Sequence, residues 1–133
     1  MDGIITLNQN GGLNFGGFAF AQKQKQDGFT VNGDVYKIKT HNEITRLEKN
    51  DALLFETTPG VLVDDFQSDA HFCAFSAKGS GDTQITIELL PETNYRVIED
   101  EVSLGDSKTN KTGKITFSAE LSETAKKIKV EKL

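Results

Sequence analysis

Ile85, Ile87 and Leu89 alternate with Thr86 and Glu88 and run into Pro91. No other feature constrains the chain more. Alternation at every second position turns one face of an extended strand toward a core and the other toward water. Pro91 has no N–H to give to a ladder, so regular pairing stops at the Leu90-Pro91 step and resumes near Asn94, with Tyr95 and Val97 facing inward. The stretch predicts strand, turn, strand.

The same pattern recurs along most of the sequence. Residues 4–7 form a short apolar run that ends at the turn-rich Asn8-Gln9-Asn10-Gly11-Gly12. In 13–21, Phe18 and Phe20 share a face, and Gly16-Gly17 marks a bulge or a close backbone approach. The polar run 22–28, with Lys23 and Lys25, reads as a hairpin end. Phe29 and Val31 precede Asn32-Gly33, the strongest short hairpin signal, and Tyr36, Ile38 and Thr40 then alternate with lysines. Residues 43–49 fit either a short helix capped by Asn42 and carrying Ile44 and Leu47, or a strand turned back at Asn50-Asp51; the strand is preferred.

Further strands are expected over 52–57, 61–66 and 71–77, the last apolar on both faces and therefore central. A turn over Gln67-Ser68-Asp69-Ala70 separates these two, and a loop over 78–82 leads into the strand around Ile87. After Val97 and Ile98 the acidic Glu99-Asp100-Glu101 ends a strand, and 102–104 make a small one. Beyond the turn Asn110-Lys111-Thr112-Gly113, the alternating Ile115, Phe117, Ala119 and Leu121, then Ile128 and Val130, predict two one-sided antiparallel strands.

Many short strands joined by turns, with no sustained helical period, predict an all-β antiparallel β-sandwich. At 133 residues the chain suits one domain. It is expected to comprise an N-terminal β extension, 1–28, and a sandwich core, 29–133.

Leu89, Pro91, Thr93 and Tyr95 form an L-x-P-x-T-x-Y phrase that resembles the turn between the fifth and sixth strands of immunoglobulin-like fibronectin type III domains. The resemblance implies that Leu89 plugs the core and that the Tyr95 hydroxyl bonds upstream backbone in a tyrosine corner. Farther on, Thr109, Gly113, Ile115 and Phe117, following Tyr95-Arg96-Val97, resemble the last sheet of C-terminal β-sandwich modules appended to secreted bacterial glycoside hydrolases and polysaccharide lyases. Such modules pack beside a catalytic domain and do no chemistry themselves. The chain has no Trp, whereas fibronectin type III domains carry one in their second strand, and residues 1–60 match neither family.

Charge and composition remove several functions. A net charge of −5 opposes nucleic-acid binding, which needs a basic face to displace counterions. No run approaches the ~18 apolar residues of a membrane span, and Met1-Asp2-Gly3 does not open a signal peptide, so a soluble chain is expected. The lone Cys73 forms no intramolecular disulfide and no multi-cysteine zinc site; within Phe72-Cys73-Ala74-Phe75 it reads as a small buried hydrophobe.

Candidate sites are few. Asp64, Asp65, Asp69 and His71 cluster in sequence and supply donors for a metal such as Ca2+, although the simpler reading is a solvated turn. Glu99-Asp100-Glu101 offers the same chemistry at a charged strand end. His41 and His71 are the two histidines, and neither sits in a motif for nucleophilic or metal-assisted catalysis. Gly11-Gly12 and Gly16-Gly17 lack the Lys-Ser/Thr of a phosphate loop. Sugar binding needs exposed rings as platforms, for which Tyr36, aided by Phe18 or Phe20, is the candidate, against the alternative that all three fill the core.

The sequence therefore predicts a non-catalytic binding or accessory module of a bacterial extracellular or cell-surface system, with carbohydrate or another protein domain as partner and no required cofactor. The alternative is a structural subunit of a virion, fibre or surface layer that assembles by strand addition, oligomeric through its polar N-terminal segment.

Overall fold

The structure, a computed structural model, describes residues 4–133; Met1-Asp2-Gly3 lies outside the described residues. The strands are β1 (Ile5–Leu7), β2 (Leu13–Gly16), β3 (Gln24–Val31), β4 (Asp34–His41), β5 (Ile44–Lys49), β6 (Ala52–Thr58) and β7 (Leu62–Ser68). They continue as β8 (Phe72–Lys78), β9 (Asp82–Glu88), β10 (Asn94–Glu99), β11 (Val102–Lys108), β12 (Lys114–Glu120) and β13 (Lys126–Lys132). Among the described residues there is no helix, and hence none long and apolar enough to cross a membrane. All pairings are antiparallel, in a seven-stranded sheet ordered β1-β2-β7-β8-β13-β10-β11 and a six-stranded sheet ordered β12-β9-β6-β5-β4-β3. The all-β sandwich expected from the alternation is the fold.

Its core lies between the inward faces of the two sheets. Phe15 on β2, Phe55 on β6, Phe66 on β7 and Phe75 on β8 form a ring cluster, with Phe55 edge-on to Phe15, Phe66 and Phe75 at centroid distances of 5.3, 5.5 and 5.3 Å. Edge-to-face contacts of this kind place the positive ring edge on the negative face of the neighbour. The alternating residues Ile85 and Ile87 of β9, Ile115 and Ala119 of β12 and Ile128 and Val130 of β13 are buried, as their spacing predicts.

Short-range turn chemistry sets the register. Asn32-Gly33 joins β3 to β4 with both residues at positive φ, and Asn50-Asp51 and Asp100-Glu101 form equivalent turns at φ 50 and 66, and 48 and 70. Gly16 ends β2 at φ +88, where a Cβ would collide with the Val61 carbonyl, which is the close backbone approach expected there.

Several local expectations are corrected. Residues 22–28 do not make a hairpin end, because β3 begins at Gln24 and pairs with β4 as an edge strand; polar residues suffice where neither face is fully covered. The strand expected over 13–21 stops at Gly16, and the strand expected to end near Leu104 runs to Lys108 with all seven residues exposed. The turn before β8 begins at Asp69, not Gln67. Ile5, Leu13 and Phe15 are each at most 5% exposed, and β3 is bulged between Gln26 and Phe29.

Candidate functional site

Tyr95 is fully buried, and its hydroxyl accepts from the Leu90 amide at 3.1 Å and donates to the Ala70 carbonyl at 3.0 Å. Beside it the Thr109 hydroxyl donates to the Leu90 carbonyl at 2.5 Å and accepts from the Thr93 amide at 2.9 Å. The two hydroxyls satisfy backbone groups that the interruption at Pro91 removes from the ladder. The Tyr95 hydroxyl also fixes the β7–β8 turn against the β9–β10 crossing.

These two segments form one wall of a groove of about 560 Å³ at the end of the sandwich. Its other walls are the start of β4 at Tyr36, the β5–β6 turn at Lys49 and Ala52, and the β1–β2 turn at Asn10. Leu13, Leu54, Phe66 and Leu89 provide an apolar surface, and Gln67, Ser68, Asp69 and Glu88 add amide, hydroxyl and carboxylate groups. A groove of this volume with apolar walls and a few polar groups suits a small organic ligand. Tyr36 is half-buried, and burial first, then the nearby Asp34 carboxylate, push its phenol above the usual value. It is therefore a neutral hydrogen-bond donor at physiological pH.

Phe18 and Phe20 do not join Tyr36. Both lie in the β2–β3 connection, where the Phe20 ring covers Gly17 and the Phe20 carbonyl accepts from the Asn42 amide at 2.8 Å, beyond the far end of β4. Six residues along a strand span roughly 20 Å, so one platform built from Tyr36 and either Phe is excluded.

Asp64, Asp65, Asp69 and His71 are also dispersed. Asp65, at φ 55 in the β7 bulge, accepts from Asn10 at 3.0 Å, Gln67 at 3.2 Å and Asn8 at 3.4 Å through one oxygen. The Gln67 bond and then the Asn10 bond hold its carboxyl below the usual range, and the Asn8 bond adds to them against the opposing effect of burial. Asp69 accepts from the amides of His71 and Phe72 at 2.7 and 3.1 Å, an Asx turn. Among the described residues no three His, Cys, Asp or Glu side chains gather to hold an ion. The acidic tip is engaged too: Glu99 pairs with Lys126 at 2.6 Å, and Asp100 accepts from the Lys127 amide at 2.9 Å. Cys73 is buried, and burial pushes its thiol far above the usual value.

No family model, curated protein or solved structure matches the chain.

Proposed function

We propose that the chain is a non-catalytic β-sandwich binding module that takes carbohydrate in the end groove. The observation carrying this reading is the half-buried Tyr36 lining a groove with both apolar walls and amide, hydroxyl and carboxylate groups. A pyranose ring offers a C–H face for the phenol and hydroxyls for the polar groups, so its two chemistries match the two kinds of lining. An accessory role beside a catalytic domain in a bacterial extracellular or surface system follows from the resemblance of residues 109–117 to such modules.

A polysaccharide array followed by calorimetric titration tests the reading. The wild-type chain should bind at least one polysaccharide, Tyr36→Ala should weaken that binding about tenfold for the loss of one aromatic contact, and Phe20→Ala should leave it unchanged. Absence of binding to any polysaccharide, or equal binding by Tyr36→Ala, overturns it.

A further inference from the structure

We infer that the free edge of β12 pairs with the same edge of a second copy of this chain, extending the six-stranded sheet across a two-fold axis. Among the described residues the sheet edges are β1, β11, β3 and β12, and three of them resist addition. β1 has three residues. β3 is interrupted between Gln26 and Phe29, and β11 is bulged at Leu104, which has no partner between Ser103 and Gly105. Short strands and bulges are how sheet edges avoid pairing with other chains. β12 carries neither: its seven residues stay in continuous register with β9 from Lys114 to Glu120.

The backbone groups available on that edge follow from the ladder. Gly113 and Leu121 bond toward β9, through Leu89 and Gly81, so odd-numbered residues face inward along the hydrogen-bonding direction and even-numbered ones face out. Lys114 is occupied by Asn110, and the Glu120 carbonyl by the Lys126 ammonium. The N–H and C=O groups of Thr116 and Ser118 remain, pointing outward with both side chains exposed.

A second β12 laid antiparallel about Phe117 sets Thr116 opposite Ser118, so these free groups meet in a hydrogen-bonded pair. The same register sets Ile115 opposite Ala119 on the core face and Phe117 opposite Phe117. It also sets Lys114 opposite Glu120 at both ends. Strand polarity and charge thus agree in a single register. The Asp82 carboxylate beside Glu120 raises its carboxyl above the usual range, first by sharing a hydrogen bond and then by repulsion, and Lys126 of the same chain acts in the opposite direction; a facing Lys114 would add to the effect of Lys126. The N-terminal segment, where strand addition is expected from composition, is not the edge that offers this.

Sedimentation equilibrium of the full chain, from micromolar to millimolar, tests the proposal. Wild type should move from monomer toward dimer mass with concentration, because one strand pair is a small interface. Lys114→Glu alone and Glu120→Lys alone should each weaken association about tenfold or more by placing like charges opposite one another. Mixing these two variants restores Lys–Glu pairs at both ends and should recover a dimer containing one of each. Thr116→Pro removes an outward N–H and leaves the β9 ladder intact; it should be folded by circular dichroism and monomeric. A wild-type chain that is monomeric throughout, a dimer untouched by the charge reversals, or charge variants that fail to pair with each other overturns the inference.

Discussion

Tyr95 and Ala70, 25 residues apart, are joined by one hydrogen bond of 3.0 Å that passes from the β10 phenol to the turn before β8. The same oxygen accepts from Leu90, so a single buried hydroxyl serves two loops. Tyr95→Phe leaves a carbonyl and an amide without this partner and should lower stability by about 1–2 kcal/mol. Urea titration checks this: an unchanged midpoint would show that the hydroxyl adds nothing to the corner.

Phe55 touches three of its fellow rings and is fully buried. Its replacement by Ala should cost about 3–5 kcal/mol, the lost transfer term plus a cavity that four strands cannot close. Phe20→Ala, at a residue 37% exposed, should stay within about 0.5 kcal/mol. Thermal unfolding of the two variants side by side separates core from surface phenylalanine.

Asp65 has a folded-state pKa depressed by its amide donors, Gln67 foremost. A depressed carboxylate adds stability above its unfolded value, and that contribution disappears as the pH falls through the folded value. Asp65→Asn should therefore unfold at lower urea than wild type at neutral pH. The gap should close in acid, below the ordinary carboxylate range. A pH-independent gap would assign the effect to packing of the β1–β2 turn rather than to charge.

Cys73 is fully buried on β8, opposite Val130 of β13 and Ser68 of β7, and its thiol is held protonated by burial. Native protein should react negligibly with a disulfide reagent at mildly alkaline pH and completely after denaturation, with native labelling limited by opening of the fold. Rapid native labelling would place the thiol at the surface.

Strands whose two faces differ were legible in the sequence. The positions of Ile85 and Ile87, of Ile115 and Ala119, and of Ile128 and Val130 follow from alternation alone, and Asn32-Gly33 and Asn50-Asp51 mark the β3–β4 and β5–β6 turns by chemistry. β3 and β11 were misjudged because edge strands are held by backbone bonds that leave no apolar period. The buried Thr40 and Thr45, whose hydroxyls meet at 2.8 Å and bond Gly17 and Val61, also gave no signal, since a threonine in a strand reads as polar surface. Tyr36 was legible as an exposed-ring candidate. The rest of the groove was not, because its walls come from strands and turns of both sheets that lie far apart in the sequence.

β13 enters the seven-stranded sheet between β8 and β10, registered with both neighbours. It is a keystone rather than a border. Without it the β10–β11 hairpin has no strand to lean on, and the sheet would consist of two separate pieces. The architecture thus makes the β10–β11 side of the layer wait for Lys126–Lys132 before it can join the rest.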